Sequence, residues 1–332
     1  MILWLQFIVV AAVILFAGSN LSRYGDVIAE KTGMGRTWVG VILMASVTSL
    51  PELITGVSSI VIFDLPDMAV GNVLGACMFN MLTIAFLDVL SGPTPISTRA
   101  NQGQVLAAGF GVLMLGMAAM SIAASATTPA IGWIGWNSVA FFLIYAVSMR
   151  TVFLFERRRI AEFVHERVEA AHYDSISLGK AYRNYAVNAG LVIGAATYLP
   201  HLGDQIATAT GLGGTFVGTT FIALTTTLPE LIVSISALRI DAADLAFGNL
   251  LGSNLFNLAI LAIDDLLYLE GPLLSDVAQS HVVSANAAMA MTAVAVIGLT
   301  YRASKKRFLF AWDSLAIVMV YLYAVSMVYL LH

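Results

Sequence analysis

The stretch Thr48-Ser49-Leu50-Pro51-Glu52-Leu53-Ile54 returns almost unchanged 178 residues later as Thr226-Thr227-Leu228-Pro229-Glu230-Leu231-Ile232. Each copy sets a glutamate in an apolar segment, where an ionised carboxylate is costly and marks function by default. Two such acids at matching positions point to one paired site that binds cations. At the same offset, residues 25–54 and 203–232 share 17 identities in 30 positions, among them Gly25/Gly203, Asp26/Asp204, Gly33/Gly211, Thr37/Thr215 and Gly40/Gly218. A second block aligns at an offset of 177, pairing Asp67/Asp244, Gly71-Asn72 with Gly248-Asn249, Gly75/Gly252, Phe79-Asn80 with Phe256-Asn257, and Asp88/Asp265. The chain is a duplication.

Of its 332 residues, 59% are hydrophobic and 11% charged, and the mean hydropathy is +0.87. These values lie outside the range of soluble domains. The chain reads as an all-α polytopic membrane protein. Apolar segments of about 20 residues, long enough to cross a bilayer, fall at 2–20, 37–63, 67–90, 103–123, 130–150, 182–201, 212–238, 243–269, 280–300 and 311–331, which predicts ten transmembrane helices. The first segment has no basic leader and no cleavage site, so it is expected to remain as a helix rather than act as a signal peptide. Cys77, the single cysteine, excludes an intrachain disulfide and any cysteine-based metal framework.

The net charge of -4 says little, because topology is carried by the placement of Lys and Arg. With the N-terminus outside, all 16 basic residues fall in loops on the inner side, from Arg23 and Lys31 through Arg157-Arg158-Arg159 to Lys305, Lys306 and Arg307. The opposite loops carry Asp64, Asp67, Asp204, Glu270 and Asp276 and no basic residue. Both termini are therefore predicted outside. Five helices per half force the second half to enter from the opposite side, the inverted repeat of secondary transporters. The first five-helix repeat spans 1–155 and the second 182–332, joined by a polar cytoplasmic linker, 156–181, read as a solvated amphipathic helix.

Ala45, Thr48, Ser49 and Glu52 share one face of the second span, and Ala223, Thr226, Thr227 and Glu230 repeat the pattern in the seventh. Pro51 and Pro229 each remove a backbone donor and clash with the carbonyl four residues earlier, so both spans are expected to be broken at the site. Irregular backbone at this depth is tolerated where it lines a cavity. Asn72, Ala76 and Asn80 share a face of the third span, as do Asn249, Ser253 and Asn257 of the eighth, with neighbouring glycines allowing close approach. Carboxylates, hydroxyls, amides and carbonyls with no His or Cys suit hard cations such as Ca2+ or Na+, not zinc or copper.

Each feature also has a plainer account. A Thr or Ser in a membrane helix usually bonds its own backbone, asparagines glue helices, and paired glutamates can share a proton. Repetition in both halves shifts the weight to function. Asp88 and Asp265 are expected at the interface near helix ends, Asp26 and Asp204 just past the first and sixth spans, and His165, His172, His201, His281 and His332 in linkers or near interfaces. Trp133 and Trp136 fit an aromatic belt, and Cys77 a packing role.

A doubled T-[ST]-L-P-E motif followed by G-N-x-x-G-x-x-x-F-N resembles the sodium/calcium exchanger family of the calcium/cation antiporter superfamily, in its prokaryotic form. The matching α-repeats run over 37–90 and 215–267. The resemblance implies that Glu52 and Glu230 are the central calcium ligands, shared with sodium, and that Ala45, Thr48, Ser49, Asn80, Ala223, Thr226, Thr227, Ser253 and Asn257 complete the ion sites. It implies that the first and sixth helices move as a gating pair, with the turns Thr32-Gly33-Met34-Gly35 and Thr210-Gly211-Leu212-Gly213-Gly214 as attachments. Two departures stand out. Gly75-Ala76-Cys77 replaces a hydroxyl-bearing G-S-N, and both Asn80 and Asn257 are amides where some members carry one Asp.

The expected function is a secondary active antiporter exchanging Ca2+ for Na+ by alternating access in a prokaryotic plasma membrane. Its partners are inorganic cations and membrane lipid, with no nucleic acid and no cofactor. The nearest alternative couples Ca2+, Mg2+ or Mn2+ to H+. A cation channel is disfavoured by the inverted repeat, and an enzyme by the lack of any nucleophile and base pair.

Overall fold

The computed structural model describes residues 2–32, 47–101, 103–125, 129–163, 176–303, 305–306 and 309–331. Ala45 and the turn at 33–35 lie outside them. The chain is helical: α1 (Ile2–Lys31), α2 (Leu50–Val61), α3 (Pro66–Leu90), a short α4 (Ile96–Arg99), α5 (Gln104–Ala123), α6 (Trp136–Phe163) and α7 (Leu178–Thr210). There follow α8 (Gly214–Val217), a π-helical turn (Gly218–Ile222), α9 (Ala223–Thr226), α10 (Leu228–Arg239), α11 (Ala243–Leu267), a 3₁₀ turn (Leu273–Ser275), α12 (His281–Tyr301) and α13 (Trp312–Leu330). Ala130–Ile131 and Ile134–Gly135 form a two-residue antiparallel β pair, so the predicted span at 130–150 begins as a hairpin and its helix starts only at Trp136.

Among the described residues seven helices are long and apolar enough to cross a membrane, and α8–α10, bent by 44° at Thr227, make an eighth when taken as one span. Helix α7 runs for 33 residues but carries Arg183, Asn184, Asn188, His201 and Asp204, which dilute its hydropathy below that of a lipid-facing span. Its length and that of α1 correct the placement of Asp26 and Asp204. Both lie inside helices, not beyond them. A helix continues past its apolar run because its backbone hydrogen bonds do not depend on lipid. Gly211, at φ +74°, ends α7 in the left-handed conformation that an L side chain rarely adopts.

The bundle is built around α3 and α11. In these two, 72% and 78% of the apolar window is buried, against 22% in α1, 17% in α6 and 28% in α13. An all-round apolar helix with embedded small residues is the pattern of a central helix. Gly71 and Gly75 bring α3 onto the backbone of the π-helical turn: a Cβ on Gly75 would fall 2.6 Å from the Ala223 side chain and 2.8 Å from the Thr219 carbonyl carbon. Helices α1 and α7 pack together through separate clusters, one of Phe7, Ile14, Leu199, Leu202, Ile206 and Val217 with their neighbours, the other of Ala17, Leu21 and Val192. The main core joins α3, α5, α11 and α12.

Asp88 and Asp265 hold the loops at the two ends of this core. Asp88 accepts from the backbone N–H of Ile96 at 3.0 Å and of Ala311 at 2.8 Å; Asp265 accepts from Leu273 at 2.6 Å and Gly135 at 2.9 Å. Both acids reach an amide eight residues on, so the duplication extends to these anchors. Both side chains are fully buried. Lys306 pairs with Asp88 at 3.0 Å, with both side chains buried. Removing one partner of a buried pair leaves an uncompensated charge. Lys306→Ala is expected to lower stability by about 3 kcal/mol, read as a lower Tm in detergent. His281 is likewise the buried first residue of α12, bonded to Asp67 at 3.0 Å, and His201 stacks on Phe63 from within α7.

Candidate ion-binding site

The prolines do not kink continuous helices. They start new ones: Pro51 and Pro229 sit in the first turns of α2 and α10, where a missing N–H costs nothing. Ser49 and Thr227 occupy the N-cap positions, yet neither caps its own helix. Ser49 Oγ donates across the repeat to Glu230 Oε1 at 3.1 Å. Thr227 Oγ1 turns back to Ala223 O at 2.7 Å. Glu52 and Glu230 fall in the first turns of these two helices, whose positive N-terminal ends favour an anion. Two helix N-termini from opposite repeats thus meet in the bundle centre, each presenting a glutamate.

Asn72 and Asn249 act as a matched pair. The Asn72 amide donates to the backbone carbonyl of Glu52 at 3.3 Å, and Asn249 to that of Glu230 at 3.4 Å. They tie α3 and α11 to the first turns of α2 and α10, and so hold the glutamates in place. Thr48 Oγ1 and Ser253 Oγ lie 3.3 Å apart, and Ser253 donates to Glu230 Oε1 at 3.5 Å. In the other half the position of Ser253 is Ala76. With no hydroxyl there, Thr226 bonds Asn72 Oδ1 at 3.0 Å.

Both oxygens of Glu52, Oε2 of Glu230, Oδ1 of Asn80 and the whole amide of Asn257 are buried without a hydrogen-bond partner among the described residues. Buried polar groups are normally paired, so a concentration of orphaned oxygens at one place fits a cation that would supply the missing interaction. No group of three or more His, Cys, Asp or Glu side chains is placed to share a metal among the described residues. An ion held here draws on two carboxylates and on neutral oxygens. The carbonyl of Ala223, expected to face the ion, already accepts from Thr227 N, Thr226 Oγ1 and Thr227 Oγ1. That carbonyl and the Thr227 hydroxyl are predicted ligands that the hydrogen bonding draws away from the site.

One residue was not anticipated. Asn254 receives Asn80 Nδ2 on its Oδ1 at 2.9 Å and donates to Cys77 O at 3.3 Å. It is the repeat counterpart of Cys77, and its two bonds tie α3 to α11. A polar side chain in a central helix was the signal that could have found it. At one end of the bundle a cavity of about 480 Å³ is lined by Asp64, Asp67, Asp204, Gly211 and Leu212, among others, an acidic mouth that raises the local concentration of cations.

The chain matches the sodium/calcium exchanger protein family over residues 2–154 and 185–331. It belongs to that family. It is 21% identical over 328 residues, 98% of both chains, to an uncharacterized membrane protein of Methanocaldococcus jannaschii, MJ0091. It is 24% identical to the inner membrane protein YrbG of Escherichia coli over 75% of this chain and 74% of that one. An 81-residue segment, 24% of this chain and 23% of the other, is 41% identical to the sodium/calcium exchanger MaX1 of Methanosarcina acetivorans. Its fold is similar to that of the sodium-calcium exchanger NCX_Mj, with a TM-score of 0.62, 19% identity and 98% of both chains covered. The chain is an integral membrane transporter of the cation antiporter class, not an enzyme.

Proposed function

We propose that this protein exchanges Ca2+ for Na+ by alternating access, with ten membrane-spanning helices in two inverted five-helix repeats of 1–155 and 182–332. The observation that carries the reading is the set of orphaned buried oxygens on Glu52, Glu230, Asn80 and Asn257, two carboxylates among neutral donors. Two acids at the centre neutralise one Ca2+ or two Na+. A site that must hold one or the other before the helices rearrange couples their fluxes. Thr48, Ser49, Thr226, Thr227 and Ser253 complete the shell, with Ala45 and Ala223 as backbone donors once the threonine hydroxyls turn away.

The moving part is the α1–α7 pair. Each of these helices packs on the broken helix of the other repeat: a Cβ on Gly18 of α1 would fall 2.5 Å from the Pro229 ring, and Ala196 O of α7 accepts from Thr55 of α2 at 3.4 Å. A shift of the pair therefore bears directly on the turns that carry Glu52 and Glu230. Both termini lie outside and 156–181 faces the cytoplasm, in keeping with the distribution of Lys and Arg.

The test is uptake of radiolabelled calcium into proteoliposomes with Na+, K+ and H+ gradients imposed one at a time. Uptake is expected with the Na+ gradient alone; uptake driven by H+ in sodium-free buffer would reassign the coupling ion. The shell also predicts that Ala76→Ser, which restores a hydroxyl in the first repeat, lowers the Na+ concentration for half-maximal exchange several-fold, about 1 kcal/mol for one added oxygen. Kinetics of uptake against internal Na+ would check it.

A further inference from the structure

Asp264 lies three residues before the end of α11, fully buried, and neither of its carboxylate oxygens has a hydrogen-bond partner among the described residues. Among the described residues only Glu52 shares that condition of both oxygens buried and unpaired. Nearby acids are engaged: Asp265 by Gly135 and Leu273, Asp67 by Ala278 and His281. The Asp264 carboxylate presses on α2, where a Cβ built on Gly56 would fall 2.5 and 2.8 Å from its two oxygens. Only glycine lets α2 pass.

The repeat shows that packing does not require an acid here. Leu87 stands at the position equivalent to Asp264 and is also fully buried, while Ser234, equivalent to Gly56, accepts from Asn249 at 3.1 Å. One half fills the place with an apolar side chain. The other half has a glycine that makes room for a carboxyl.

An ionised carboxylate, buried and unpaired, is not sustained in so apolar a setting. A metal ion needs several further oxygens, but among the described residues no group of three or more acidic, His or Cys side chains is placed to share one, and Ser59 on α2 donates to its own backbone. A proton needs only the carboxylate itself. We propose that Asp264 is a proton-binding site of the second repeat, occupied at neutral pH while α2 packs on α11 and released to water when the two helices part at this end. Of the titratable groups on α11 and the surrounding helices, Asp265 on α11 is turned onto backbone amides and Glu52 on α2 lies one turn before Gly56. Asp67 of α3 and His281 of α12 bond each other, Tyr145 of α6 meets Phe256, and His201 of α7 stacks on Phe63. None is bonded to the Asp264 carboxyl. Release leaves one negative charge beside α2 at the end where the acidic mouth opens, which makes exchange sensitive to pH.

Infrared difference spectra of the reconstituted protein at neutral pH test this directly. The wild-type spectrum minus that of Asp264→Asn should contain the carbonyl stretch of a neutral carboxylic acid, shifted by deuterium exchange; Asp264→Glu should keep the band at a displaced position. Identical spectra for wild type and Asp264→Asn, or persistence of the band unshifted in Asp264→Glu, would overturn the proposal. Na+-driven uptake of labelled calcium should fall toward low pH in wild type and lose that dependence in Asp264→Asn; an unchanged profile would equally count against it. Should Asp264→Asn fail to fold, Asp264→Leu, which copies the other repeat, carries the same two measurements. The spectra stand apart from the exchange reading: loss of uptake in Glu52→Gln with no acid band assigned to Asp264 removes only this proposal, and the converse removes only the other.

Discussion

Glu52→Gln and Glu230→Gln are each expected to abolish sodium-driven calcium uptake. Gln keeps the shape and one oxygen, so the bundle still folds, but the charge is gone. A unit charge facing a cation about 4 Å away at an effective dielectric near 20 is worth about 4 kcal/mol, roughly a 100- to 1,000-fold loss of affinity. The two substitutions are not equivalent in their neighbourhood. Glu230 accepts from Ser49 and Ser253, while neither oxygen of Glu52 has a hydrogen-bond partner among the described residues. Glu52→Gln therefore leaves fewer disrupted protein contacts and reports the ion most cleanly. Uptake by each variant in vesicles, beside its elution profile in detergent, separates loss of site from loss of fold.

Gly75→Ala is expected to destabilise the fold rather than disable the site. Its Cβ meets the backbone of the π-helical turn and the Ala223 side chain within van der Waals distance, and a backbone on both sides leaves no flexible group to yield. Overpacking of this kind costs about 3 kcal/mol. Gly109 supplies the contrast: it lies in α5 with nothing within 4 Å of a built Cβ, so Gly109→Ala is expected to be neutral or to stabilise by ~0.5 kcal/mol, as helix propensity dictates. Thermal unfolding of the two variants in the same detergent measures the difference.

The centre of the site was legible in the sequence because duplication marks it twice. Two Leu-Pro-Glu blocks and two Gly-Asn blocks in apolar segments concentrate far more polarity at membrane depth than helix packing alone requires. Helix ends were less legible, because hydropathy records where a helix meets lipid and not where its backbone bonds stop. Hence Asp26 and Asp204 fall inside α1 and α7, where an apolar count ended the helix early. Asp88 and Asp265 were placed near helix ends as found, but their burial was not legible, since the amides of Ala311 and Gly135 that help engage them lie far away in the chain. Asn254 and Asp264 were missed for a single reason. Their repeat partners are Cys77 and Leu87, so a search for matched polar pairs passes over both. The roles of Asn72 and Asn249 also needed coordinates, because sharing a face with Asn80 and Asn257 does not separate a ligand from a residue that bonds the ligand's backbone.

The asymmetry between the halves bears on mechanism. Glu230 is hydrogen-bonded from both repeats, whereas Thr226, deprived of a hydroxyl partner by Ala76, turns to Asn72. Glu230 thus sits within a hydroxyl network, while neither oxygen of Glu52 has a hydrogen-bond partner among the described residues. Coupled exchange of this kind requires a single competitive site. Equilibrium binding of labelled calcium to the purified protein, titrated with Na+, tests that requirement most directly: Na+ should displace calcium fully, and Glu52→Gln should bind neither ion. Calcium retained at saturating Na+, or bound undiminished by Glu52→Gln, would contradict it.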